Sequence, residues 1–118
     1  MYRLPPGLDL SCFVGKTLVQ ICVGASDLIF NFDGELSVTL TSSLGCRRPG
    51  GRFRRHKDLV LGSRTAMGLL NKTVVSAEGL SDGTLRVHFV EDGLLEFYDD
   101  SDRYESYVIR SGDHLIVV

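Results

Sequence analysis

Few residues of this chain have the type and spacing for chemistry, and each is judged by its neighbours. Gly15-Lys16-Thr17 matches the closing triplet of a phosphate-binding loop. That loop also needs a glycine where this chain has Leu10, and a helix where it has the β-type run Val19-Gln20-Ile21-Cys22-Val23. Without the first glycine there is no cradle of backbone N–H groups, so nucleotide binding is excluded at this triplet. His56, His88 and His114 are scattered, no pair has metal-ligand spacing, and no serine sits in a G-x-S-x-G turn. His88 alternates outward from Val87 and Phe89 and reads as solvated or edge-pairing rather than catalytic. Glu91-Asp92 and Asp99-Asp100 are paired carboxylates, but both flank turns. Cys12, Cys22 and Cys46 form an odd set without C-x-x-C, which reads as reduced thiols, with Cys22 serving as a small hydrophobe. The expectation is a chain with no enzyme activity, no catalytic residues, no metal and no cofactor.

Two charge clusters remain as candidates for binding. The basic stretch is Arg47, Arg48, Arg52, Arg54, Arg55 and Lys57, with Phe53 among them. It reads either as a mobile loop kept soluble by charge or as a phosphate or nucleic-acid contact with Phe53 stacking on a base. The mild net charge of −2 argues against nucleic acid as the principal partner. The acidic stretch includes Asp92, Glu96, Asp99, Asp100, Asp102 and Glu105, interleaved with Tyr98 and Tyr104. It reads either as a solvated sheet edge or as a face that steers and anchors a cationic partner. Residues 1–59 carry net +3 and residues 60–118 net −5, which suggests opposite fields on opposite faces.

The elements that position these residues follow from a repeat. Val14-Gly15-Lys16-Thr17-Leu18-Val19 matches Leu70-Asn71-Lys72-Thr73-Val74-Val75. Each is followed by a strand of period two, Leu28-Ile29-Phe30-Asn31-Phe32 or Leu85-Arg86-Val87-His88-Phe89, with alternate residues forming an apolar face. Asp33-Gly34 and Asp92-Gly93 then read as matching hairpin turns into a third strand, Leu36–Leu40 or Leu94–Phe97. The internal repeat spans about 13–41 and 69–99 within a single domain, 1–118. A meander of three strands cannot bury its apolar face alone, so the two must pack on each other. Residues 42–58 read as an exposed, Gly- and Arg-rich connection. Leu59–Leu70 has the spacing of a short helix, with Ser63 as a candidate N-cap. A hairpin turning at Ser111-Gly112-Asp113 closes the chain. The predicted fold is all-β, mainly antiparallel, with one short helix: a small sandwich or partly open barrel from two three-stranded meanders plus a C-terminal hairpin.

At 118 residues with 43% hydrophobic composition, such a core needs no staples, and no apolar run is long enough to span a bilayer. The N-terminus lacks the pattern of an export signal, so a cytoplasmic location is expected.

Gly79-Leu80-Ser81-Asp82-Gly83-Thr84-Leu85-Arg86-Val87-His88-Phe89, Asp92-Gly93-Leu94-Leu95-Glu96-Phe97-Tyr98-Asp99-Asp100, and above all Tyr104-Glu105-Ser106-Tyr107 carry a resemblance. Together with Val14–Gly24 and the Ile116-Val117-Val118 ending, they resemble a widespread family of small bacterial proteins of unknown function. The resemblance covers most of the chain except the arginine-rich connection. It brings no catalytic residues with it. Small β-rich proteins of this sort include immunity proteins that neutralise a toxin, among them toxins of contact-dependent growth inhibition. The implied role is a non-enzymatic protein-binding module that occludes a cationic toxin domain. The alternative is a nucleic-acid or phosphate-ligand binder working through residues 47–57. No membrane partner is expected, and the oligomeric state is left open.

Overall fold

Residues two apart on the central strands share a face, and that alternation builds the whole molecule. The computed structural model describes residues 4–5, 7–101 and 105–118. The first meander is β1 (Leu18–Val23), β2 (Leu28–Phe32) and β3 (Leu36–Leu40). The second is β6 (Val74–Gly79), β7 (Leu85–Phe89) and β8 (Leu94–Phe97). Leu28, Phe30 and Phe32 point inward from β2, as Leu85, Val87 and Phe89 do from β7. The aromatic side chains meet between the layers: Phe30 lies edge-on to Phe97 at 5.2 Å and Phe32 stacks on Phe89 at 6.4 Å. The fold is an all-β antiparallel sandwich of two five-stranded sheets with one short helix, not a closed barrel.

The fourth and fifth strands of each sheet come from the opposite half of the chain. Residues 42–58 are not a loop. They contain β4 (Leu44–Arg47), which is central, and β5 (Arg54–His56), which is an edge. This hairpin pairs with β8 of the second meander. The hairpin of β9 (Tyr107–Ser111) and β10 (His114–Val117) pairs in turn with β3 of the first. The sheet orders are β1-β2-β3-β9-β10 and β5-β4-β8-β7-β6. The repeat therefore extends past the two meanders to include a hairpin in each half.

The matched Lys-Thr segments lie on the pseudo-two-fold axis. Leu18 N donates to Lys72 O at 3.1 Å, and Val74 N donates to Lys16 O at 2.7 Å. Gly15 N reaches Val74 O and Asn71 N reaches Leu18 O in the same reciprocal way. Gly15 (φ 81°) and Asn71 (φ 68°) both take the left-handed conformation this junction needs, which gives Gly15-Lys16-Thr17 a structural purpose. At the other end, the crossovers β3–β4 and β8–β9 bond to each other. Thr41 N donates to Ser106 O at 3.0 Å, Tyr98 N to Ser43 O at 3.3 Å, and Ser43 Oγ to Asp100 Oδ2.

Two local expectations are corrected. The Asp-Gly turns are not equivalent. Phe30 pairs with Val38 and Val87 with Leu95, so Asp33-Gly34-Glu35 superposes on Val90-Glu91-Asp92. Positive φ falls on Gly34 and Glu35 in one turn, and on Glu91 and Asp92 in the other. Gly93 is extended instead, and a Cβ there would come within 2.5 Å of Leu69. The helix α1 (Leu59–Ala66) is capped by Asp58, not Ser63. Asp58 Oδ1 accepts from Val60 N at 3.0 Å and Leu61 N at 3.3 Å, while Ser63 is buried and donates to Val60 O. α1 leads into β6 but packs against β4, β5 and β1.

Because each sheet borrows two strands, neither half holds a complete layer. Residues 1–58 and 59–118, expressed separately, should each lack a cooperative thermal transition by circular dichroism. Mixing them should restore one. A cooperative transition in either fragment alone would contradict the exchange of hairpins.

Candidate functional site

The outer face of the second sheet carries charges that the register aligns into rows. One row runs Glu78, Arg86, Glu96, Gly45 and Arg55 across β6, β7, β8, β4 and β5. Arg86 Nε donates to Glu96 Oε2 at 2.5 Å, and its Nη1 lies 3.5 Å from Glu78. Glu96 uses its other oxygen to accept from Tyr98 Oη at 2.7 Å. The Arg55 guanidinium lies over the Tyr98 ring, 3.9 Å from its centre, and reaches Asp100 Oδ2 at 3.4 Å. The adjacent row is His88, Leu94 and Arg47. His88 Nε2 lies 3.3 Å from Glu78, and Arg47 donates to the carbonyl and carboxylate of Asp92.

Gly45 leaves a gap in the first row that larger neighbours cover. A Cβ there would come within 2.3 Å of Tyr98 Oη and 2.6 Å of Phe53. Phe53 arches over this gap yet stays 42% exposed. Beside it, Arg47, Phe53, Arg86, His88, Leu94 and Glu96 line a shallow depression of about 400 Å³. The result is a rigid surface of alternating charge with one exposed aromatic ring.

The two sequence clusters are thus interlocked and do not lie on opposite faces. Arg47 pairs with Asp92 and Arg55 with Asp100, because β4–β5 crosses to the sheet that holds the acids. Of the acidic set, Glu96 and Tyr98 are buried and bonded internally. Asp99 and Asp100 belong to the crossover, where Asp99 Oδ1 accepts from Ser106 Oγ. Glu105 supplies its carbonyl to Thr41 Oγ1. Asp102 and Tyr104 lie outside the described residues. Within the Tyr-Glu-Ser-Tyr segment, Ser106 and Tyr107 are structural: Ser106 N donates to Val118 O and Tyr107 Oη to Gly83 O, each at 2.6 Å. A bare acidic docking strip is therefore not what the fold presents.

The basic set divides as well. Arg47, Arg55 and Phe53 sit on the outer face. Arg48 instead donates to Thr65 O and Arg64 O at the C-terminal end of α1. Arg52, Arg54 and Lys57 are exposed. Phe53 does not stand among these arginines, so they do not form one stacking platform. Sequence reasoning placed Arg86 and His88 outward by alternation but assigned them no role. It missed Gly45 because its strand was read as loop.

The equivalent row of the first sheet is Cys22, Ile29, Thr39, Val108 and Val117, all uncharged. The duplication built the same surface twice, and only the second sheet carries charges in this row. Among the described residues no group of His, Cys, Asp and Glu could hold a metal ion, and all three cysteines are free. Among the described residues no helix is long and apolar enough to cross a membrane. No family model, curated protein or solved structure matches the chain.

Two predictions follow the burial of these groups. The Glu96 side chain is 9% exposed and the Asp92 side chain 84%. Glu96→Ala strands Arg86 and Tyr98 Oη, so it should cost roughly 2–4 kcal/mol in urea unfolding. Asp92→Ala should cost about 0.5 kcal/mol or less. Equal losses would contradict the ladder. Burial pushes the Cys46 thiol up to about 12. Burial also raises the Tyr98 and Tyr107 hydroxyls, helped by Glu96 at Tyr98 and by Asp99 and Asp82 at Tyr107. The folded state holds these protons after the unfolded chain begins to release them, at about pH 8.5–10. Their stabilisation is therefore complete below that range and is lost as pH rises through it. Thermal midpoints should fall steadily between about pH 9 and 11, less so in Tyr107→Phe. A flat profile would contradict the assignment.

Proposed function

We propose that this chain is a non-enzymatic protein-binding module, most concretely a bacterial immunity protein that occludes a cognate toxin domain. The observation that carries this reading is the prearranged row from Glu78 to Arg55 with Phe53 exposed at its gap. A sheet surface whose guanidiniums are already held loses little side-chain freedom on docking. Exposed aromatic rings and arginines are the side chains that dominate protein interfaces. The rim acids Glu78, Asp92 and Asp100 remain accessible and would steer a cationic partner toward the ring. The resemblance drawn from the sequence supports the same role. A cytoplasmic site of action belongs to the proposal, since a toxin must be met where it acts.

The reading refines the partner. An alternating row selects a surface of complementary alternation, with lysines or arginines over the rim acids and a carboxylate near Arg55. A uniformly basic partner would meet Arg47, Arg55 and Arg86 as repulsive points.

Co-expression with the polypeptide encoded next to this chain tests the proposal. A stoichiometric complex is expected by size-exclusion chromatography. Phe53→Ala with Arg55→Glu should weaken it about 100-fold or more, as loss of a central aromatic and its neighbour does. Thr39→Lys, on the outer face of the other sheet, should leave affinity unchanged. No complex at about 1 μM, or one indifferent to the first variant, would overturn the reading.

A further inference from the structure

We propose that the junction between the β4–β5 hairpin and the end of α1 is a binding site for a small phosphorylated ligand, separate from the protein-docking face. The site is a cavity of about 480 Å³ lined by Arg48, Gly51, Arg52, Arg54 and Thr65. Three arginines line it and no carboxylate does. The other two arginines of the stretch, Arg47 and Arg55, each have an acid partner. Clustered like charges repel unless an anion sits among them, so this cavity is electrostatically incomplete in a way the outer face is not.

Arg48 is fixed in place from both ends. Its backbone belongs to the turn Arg48-Pro49-Gly50-Gly51, in which Gly51 N donates to Arg48 O at 2.9 Å. Gly50 has φ 74°, which suits the third position of a turn with proline second. Its side chain lies flat across Gly68, where a Cβ would come within 2.6 Å of Arg48 Cγ. Nε and Nη2 donate to the carbonyls of Thr65 and Arg64, which neutralises the negative end of α1 beside the cavity. A guanidinium has five N–H donors, so three remain for a ligand after these two bonds. Arg52 and Arg54 stand on the same hairpin, two residues apart. On β5, Arg54 pairs with inward-facing Cys46, whereas Arg55 pairs with outward-facing Gly45. The strand's alternation therefore sends Arg54 to the helix side and Arg55 to the outer face.

Phosphoryl oxygens match this chemistry better than a single carboxylate does. Three forked donors suit a tetrahedral group with several acceptor oxygens and more than one negative charge. No aromatic side chain lines the cavity, so a base would find no stacking partner there. The recognised part is the phosphoryl group itself.

Titration of the full chain with inorganic pyrophosphate at constant ionic strength tests the site, followed by calorimetry and by the arginine Nε–H resonances. Saturable one-to-one binding is expected, weakened about tenfold or more in Arg52→Ala with Arg54→Ala. Arg110→Ala, which removes the same charge from the other sheet, should leave it unchanged. A short single-stranded RNA forms the second arm, and binding of both probes with the same arginine dependence supports the phosphoryl site. Binding of RNA alone, equal losses in Arg110→Ala, or no saturation by about 10 mM pyrophosphate would overturn it. Should the double variant not fold, the Nε–H shifts of the unmodified chain decide: perturbation at Arg48, Arg52 and Arg54 supports the site, and perturbation elsewhere overturns it. Retained pyrophosphate binding in Phe53→Ala with Arg55→Glu would keep this site distinct from the docking face, and loss there would merge the two and overturn it.

Discussion

Strands β3 and β8 each finish a meander with one edge unpaired, and a bare central edge cannot stand in a folded core. Every buried backbone N–H and C=O must find a partner. Here the partner always comes from the other half of the chain, β9 for β3 and β4 for β8. The rest of the architecture answers to that exchange. The chain must cross between layers twice, and the crossings are stitched by Thr41, Ser42, Ser43, Asp100 and Ser106. Tyr107 is fully buried where β9 enters, and its hydroxyl needs Gly83 O as acceptor. The segment that looks most distinctive in the sequence is therefore explained first by folding.

The same exchange builds the candidate site. Without β4 and β5 beside β8, Glu96 would have no Gly45 to make room for Tyr98, and Arg55 no ring to cover. A buried carboxylate is tolerated only when its oxygens are matched, and Glu96 is matched at both. The hydrogen bond to Glu96 also raises the Arg86 guanidinium pKa above its already high value. The outer face is thus a self-satisfied lattice in which Phe53 and the paired rim acids stay exposed.

Much of the fold was legible because alternation over five residues is a strong signal. Leu28-Ile29-Phe30-Asn31-Phe32 and Leu85-Arg86-Val87-His88-Phe89 declared their faces directly. β4 and β5 were not legible for a physical reason. Leu44-Gly45-Cys46-Arg47 has a glycine and an arginine where an outward face is read, and Arg54-Arg55-His56 has no apolar residue at all. Their strand character comes from the partners they meet, not from their own composition. The charge asymmetry between halves was read correctly as arithmetic but misread as geometry, because the basic hairpin travels to the acidic sheet. Arg86 and His88 were visible as outward residues, whereas Gly45 gained meaning only with Tyr98 and Phe53 above it. The three-arginine cavity needed the helix end and the turn at Gly50 together, which no linear spacing reveals.

The reciprocal bonds between Lys16–Leu18 and Lys72–Val74 have the geometry of an isologous contact, the kind that joins two identical subunits through swapped segments. In a true homodimer every surface feature would occur twice, and a charged row on one sheet would force the same row on its mate. Tethering both copies in one polypeptide removes that obligation. Ile29 and Arg86, or Thr39 and Glu96, can then differ although they occupy equivalent places. The linkage thereby turns a symmetric scaffold into a polarised one, with an uncharged row on one sheet and an alternating row of charge on the other.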